Sequence, residues 1–204
     1  MGNFWTGRDR SKLLEHELKM FTLTGKIQAE QVVQEDVYLD DDRTGQNFIH
    51  QITIKPEKQG LPKVVLIHGY GGGGGVYFKM VEHMVNYYEV ILIDLLGMGA
   101  SGRPDFGLTD YDECVDYFMN SIKRWVQLSG VTRDGKFILV GHSFGGFIAS
   151  QYTLRYGEDV EKLVLLSSIG VQEPPKNQQS WEQMRDSFTS PLAKYGVKWG
   201  AEMW

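Results

Sequence analysis

Four short apolar runs punctuate the middle of the chain: KVVLIH at 63–68, EVILID at 89–94, KFILV at 136–140 and EKLVLL at 161–166. Unbroken runs of this length, without polar alternation, are the pattern of strands covered on both faces. Between and after them lie stretches of helical spacing, at about 76–86, 112–128 and 144–156. The repeated strand–helix order predicts an α/β fold: a mostly parallel sheet with right-handed crossovers and helices on both faces. Upstream the pattern differs. Residues 31–39 and 48–55 read as two strands joined by the turn DDDRTG, and Phe48, His50, Ile52 and Ile54 alternate as in a half-buried strand. Leu13, Leu14, Leu18 and Phe21 share one broad helical face, with Arg10, Lys12 and Lys19 outside it or at its edge. After Ser167 the periodicity dissolves into SIGVQEPPKNQQS, and 181–204 holds helical pieces and three tryptophans but no further strand.

Composition narrows the class. The 204 residues are 42% hydrophobic, enough for a core, and leave room for one ordinary domain. A net charge of −5 argues against a nucleic acid or other polyanion as partner. No apolar run approaches the roughly 20 residues of a membrane span, and none resembles a signal peptide. A single cysteine, Cys114, excludes an internal disulfide, and none of the five asparagines opens a glycosylation sequon. These features lead us to expect an intracellular protein, with Cys114 a small buried hydrophobe. The glycines are the departure: 24 in all, 13 of them within 69–75, 97–107 and 141–146. Clustered glycine marks backbone that must come close to something else.

The last cluster carries chemistry. Gly141-His142-Ser143-Phe144-Gly145 fits G-x-S-x-G between a strand and a helix. Small residues at both ends allow a sharp turn that lifts Ser143 Oγ off the sheet edge as a nucleophile. The following helix offers N–H groups, Phe144 first, to a developing oxyanion. The first cluster, His68 to Gly75, can supply a second donor, with Tyr70 N–H the leading candidate and Gly71 next. Gly69 lets that loop turn. A competing reading is a dinucleotide fingerprint, since Gly69, Gly71 and Gly74 satisfy G-x-G-x-x-G and Asp94 stands at the end of a later strand. Any glycine run meets that spacing. Asp94 itself reads as a hydrogen-bond acceptor fixing the loop near Gly97 and Gly99, in preference to a catalytic acid.

Together, VVLIHGYGGG, VILIDLLGMGASGRPDF, ILVGHSFGGFIASQYTLRYGEDVEKLVLLSSIG and EPP resemble an α/β-hydrolase, and within that superfamily the abhydrolase-domain 4/5 type of lipid hydrolases and lipase co-activators. The likeness is close over about 62–175 and looser toward the N-terminus. It implies a serine hydrolase of acyl-lipid esters or amides, with Ser143 retained where the co-activator branch carries Asn. It implies no metal or organic cofactor. It also implies that further sheet strands, the acid and the histidine follow a lid begun at 173–204, after an amphipathic segment at 1–28 and a hydrolase core at 29–172.

The five histidines, His16, His50, His68, His83 and His142, all precede Ser143, and a serine without a base is a weak nucleophile. Two alternatives therefore stand beside the hydrolase. One is an inactive hydrolase-like scaffold or lipase co-activator with a protein partner, if the chain ends at Trp204. The other is a lysophospholipid acyltransferase. The H-x4-D motif linked to that activity is absent, since Phe21, Lys55, Gly73, Tyr88 and Phe147 stand five residues after the histidines. The N-terminal MGNFWT fits an N-myristoylation signal on Gly2, and Phe4, Trp5, Arg8, Arg10 and Lys12 would suit a membrane or lipid-droplet surface. A mitochondrial location is compatible with the same features. Trp181, Trp199 and Trp204 would suit an apolar acyl pocket.

Overall fold

The computed structural model describes residues 10–40 and 45–170. Six strands form one sheet in the order β1-β2-β4-β3-β5-β6. They are β1 (Val32–Tyr38), β2 (Phe48–Ile54), β3 (Lys63–Ile67), β4 (Glu89–Ile93), β5 (Phe137–His142) and β6 (Val160–Leu166). β3 to β6 run parallel, as their unbroken apolar runs predict, while β1 and β2 add an antiparallel flank. Among the described residues four helices cover the sheet: α1 (Arg10–Thr22), α2 (Phe78–Met84), α3 (Tyr111–Ser129) and α4 (Phe144–Arg155). The helix expected over 76–86 is shorter, because the glycine loop enters it through a 3-10 turn at Gly74–Tyr77.

The alternating side chains of the strands feed two cores. On one face Val65, Ile67, Ile91, Ile93 and Leu139 pack under α3 and α4, against Phe118, Trp125, Ile148 and Tyr152. On the other face Ile52, Leu66, Leu92 and Val140 pack under α1 and α2, against Phe21, Tyr77 and Val81. α3 is framed at both ends: Asp110 accepts from the N–H groups of Asp112 and Glu113, and Gly130 closes it in the left-handed conformation.

Two expectations need correction. β2 is buried along its whole length, not half-buried. Its polar positions face a helix: Trp125 of α3 donates to Gln51 at 2.8 Å, and His50 lies beneath α1. Alternation there separates two covered faces, with polar residues satisfied inside. Cys114 is only half-buried, its thiol 3.8 Å from the carbonyl of Leu108.

Candidate active site

β5 ends and α4 begins across one residue, Ser143, at φ 54° and ψ −117°. A non-glycine residue in that region costs roughly 1–3 kcal/mol and persists only where its surroundings impose it. Those surroundings are backbone. A Cβ on Gly145 would overlap the carbonyls of Ile67 and His68, and one on Gly141 would overlap the carbonyl of Gly145. The glycines thus let α4 start directly against the ends of β3 and β5. Ser143 N–H donates to Leu166 O at 3.1 Å, and Ser143 O accepts from Gly146, Phe147 and Ile169. Its hydroxyl does not cap α4. The main chain is held on both sides while Oγ stays available at the C-terminal edge of the sheet.

The glycine loop after β3 adjoins this turn. A Cβ on Gly69 would lie 3.3 Å from Ser143 Cβ and 3.1 Å from His142 Nδ1. Gly72 N–H donates to Gly69 O at 3.0 Å, and Gly71 supplies the positive φ of 67° that this tight turn requires. Tyr70, at the turn's apex, meets Phe144 edge to face at 6.2 Å. The side chains of Tyr70 and Phe144 therefore meet beside Ser143, one from the glycine loop and one from the first residue of α4.

A buried polar frame holds that arrangement. His68 Nε2 accepts from Leu95 N–H at 3.0 Å, so its proton sits on Nδ1 and is donated to Gly69 O at 2.7 Å. Both ring nitrogens are engaged in framing the loop. The Asp94 carboxylate accepts from Gly74 N–H and Ala100 N–H, each at 2.6 Å, and the Asp94 carbonyl accepts from Ser101 Oγ at 2.6 Å. Burial pushes the Asp94 carboxyl above the ordinary carboxylate range, against the opposing pull of those two N–H groups. Asp94 acts as the loop-fixing acceptor. With both oxygens turned inward it offers nothing to a ribose, and the dinucleotide reading of the glycine loop falls.

Sequence reasoning missed how far the frame extends. His50 of β2 is fully buried, with Nδ1 2.9 Å from Asp36 and Nε2 3.2 Å from Glu17 of α1. Burial alone would lower its basicity. The hydrogen bonds to the two carboxylates, with the charge of Asp94, more than reverse this and raise it to about 9. Arg10 joins the cluster, bonding Asp36 at 2.5 Å and Ala100 O at 3.1 Å. Arg10 is thus tied to Asp36 and the Ala100 carbonyl, with its side chain 40% exposed. The available signal was parity: His50 shares the face of Ile52 and Ile54, where α1 docks with Glu17.

Among the described residues no imidazole serves Ser143. His16 and His83 are exposed on α1 and α2, His142 packs on Gly69, and His50 and His68 are committed to the frame. Gly2, Phe4, Trp5, Arg8 and the tryptophans at 181, 199 and 204 lie outside the described residues.

The family model for the alpha/beta hydrolase fold matches residues 62–194. The chain belongs to the α/β-hydrolase family. Curated relatives include a 1-acylglycerol-3-phosphate O-acyltransferase from Arabidopsis thaliana, 35% identical over 134 residues (66% of this chain, 31% of that protein). A (lyso)-N-acylphosphatidylethanolamine lipase from Homo sapiens is 35% identical over 132 residues (65% and 37%). The 1-acylglycerol-3-phosphate O-acyltransferase ABHD5 from Mus musculus is 38% identical over 128 residues (63% and 34%). The chain thus spans about a third of the length of the curated relatives it matches. Among solved structures, a bacterial membrane phospholipase A superposes with a TM-score of 0.62 at 20% identity, covering 92% of this chain and 55% of that one. Naproxen esterase from Bacillus subtilis superposes at 0.61 with 18% identity (93% and 59%). These two α/β-hydrolases support the fold.

Proposed function

We propose that this chain carries the nucleophile and oxyanion hole of a serine hydrolase acting on acyl-lipid esters or amides. The observation that carries the reading is Ser143, held at φ 54° between β5 and α4 with its hydroxyl free of capping. Oγ would attack the acyl carbonyl, whose oxygen gains negative charge as the tetrahedral intermediate forms. Tyr70 N–H and Phe144 N–H would receive that charge, and Phe144 adds the positive end of α4. By the family's order, the base that takes the Ser143 proton and the acid that orients it belong to chain after the lid. The lipid-related names of the curated relatives support the substrate class.

A second reading has support in the same names, since two of these relatives are named acyltransferases. An acyl-enzyme on Ser143 would serve both, with water or a lysophospholipid hydroxyl as acceptor. The N-terminal Gly2 signal fits either activity, because both substrates lie at a lipid surface.

A fluorophosphonate probe tests the nucleophile. Wild type joined to the base and acid that the family order places after the lid should be labelled covalently, and Ser143→Ala in the same protein should lose the label. Labelling that survives the substitution, or wild type that takes none, overturns the reading.

A further inference from the structure

Seven aromatic rings converge around the residue after Ser143, from three separate parts of the chain. Phe144 meets Tyr70 of the glycine loop at 6.2 Å, stacks with Phe147 at 6.2 Å and packs on Phe118 of α3 at 5.6 Å. Phe147 continues to Tyr111, at the start of α3, at 6.4 Å. Beneath this row, Phe118, Tyr117 and Phe106 form successive edge-to-face pairs at 5.3 and 5.0 Å. Phe118 belongs to the core and Tyr117 packs against it, whereas Tyr70 and Tyr111 are exposed, Tyr111 to 63%. Aromatic area of this kind, on rigid elements and open to solvent, usually has a ligand or partner to cover it.

We propose that the row Tyr70–Phe144–Phe147–Tyr111 is the subsite that holds the hydrocarbon chain of the acyl group while its carbonyl lies at Ser143; the inference rests on the hydrolase reading above. Two observations choose this occupant. The first is access to the reacting atom. Beneath Ser143 the backbones of Gly141, Gly145 and Gly146 close on β3, β5 and Ser168, leaving no space for a Cβ. Behind the glycine loop, His68 and Asp94 fill the interior with satisfied polar groups. The aromatic row begins at the neighbouring residue, Phe144, and runs outward.

The second observation is charge. The segment beside Tyr111 carries Asp105, Asp110, Asp112 and Glu113, all exposed, and no lysine or arginine occurs between 104 and 122. An anionic phosphate headgroup would be repelled from this end of the row. A neutral hydrocarbon carries no charge for these carboxylates to repel, and four aromatic rings line the row. The acyl chain is the part of an acyl-lipid that fits, and the headgroup must leave in another direction.

Saturated fatty acids of 6 to 16 carbons provide the test, because they are the product of such a hydrolysis and bind without turnover. Their affinities are measured on the full chain by displacement of a fluorescent fatty acid. Each added methylene should tighten binding by about three- to fourfold until the row is filled. Tyr111→Ser, at an exposed ring whose loss leaves the core intact, should weaken the 16-carbon acid roughly tenfold and the 6-carbon acid hardly at all. Phe147→Ser should shorten the chain length at which affinity levels off. Affinity that ignores chain length, or a Tyr111→Ser variant that binds every acid like wild type, overturns the proposal. So does a change in oligomeric mass on Tyr111→Ser with unchanged binding, which would make the row a contact between copies. Failure of the nucleophile is separate: Ser143→Ala should keep the chain-length dependence in full, whatever the fluorophosphonate result.

Discussion

At the scale of single residues, the site stores strain where function needs it. Ser143 occupies a backbone region that a serine dislikes, and its main-chain bonds to Leu166, Gly146, Phe147 and Ile169 hold it there. Replacing Ser143 by glycine removes the cost of the side chain in that conformation. Ser143→Gly should therefore gain about 1 kcal/mol in urea denaturation while abolishing covalent labelling. A variant less stable than wild type would show that Ser143 is not strained. The G-x-S-x-G spacing made this residue legible from the sequence, because the motif encodes a local turn. Gly99 shows the opposite case. Its positive φ and the Asp94 carboxylate, which occupies the space of a Cβ there, are fixed by a strand end and a loop meeting in space. The sequence suggested that Asp94 would steady this region, but not that Gly74 N–H and Ala100 N–H would be its two donors.

At the scale of elements, the least anticipated feature is the attachment of α1. Leu14 and Leu18 are half-buried and Phe21 is fully so, whereas Leu13, expected on the same face, is 41% exposed. The helix is also held by ionic contacts, from Arg10 and Glu17 to Asp36 and His50. The imidazolium form of His50 is stabilised by folding, since its pKa rises from 6.5 to about 9. A group whose pKa is raised on folding contributes fully below the unfolded value and loses that contribution as pH climbs through the folded value. Stability should thus fall between pH 6.5 and about 9, by on the order of 3 kcal/mol from this group. Asp36, Glu17 and the Arg10 guanidinium all lie within 3.4 Å of His50, so its own contribution is isolated by removing the imidazole. Urea titrations of wild type and His50→Gln at several pH values measure it. The variant should be less stable at pH 6.5 and flatter with pH. Parallel pH profiles for the two proteins would remove His50 as the source.

At the scale of the whole molecule, the two edges of the sheet are built differently. β1 displays Gln34, Glu35 and Asp36 and lies partly under α1, as a guarded edge should. β6, the last described strand on the other side, carries Leu163, Val164, Leu165 and Leu166 in succession, with Val164 40% and Leu165 38% exposed. Such a run belongs to a strand covered on both faces. The 204-residue chain alone should therefore associate as its concentration rises. Light scattering should show Val164→Lys to be closer to monomeric than wild type, with an unchanged melting temperature. Equal association in both would mean that β6 is not the contact.

The sequence by itself determined the parallel order of strands and helices, the position of the Ser143 turn and the family. Each depends on periodicity or on residues a few positions apart, where local sterics and burial leave little choice. Only the tertiary structure decided that β2 is covered on both faces, that His50 lies buried between two carboxylates, and that seven rings from three segments line up beside Ser143. Those outcomes depend on which side chains the packing brings together across tens of residues. Hydrophobic burial is non-directional, and a linear pattern of apolar and polar positions does not say which partners will meet.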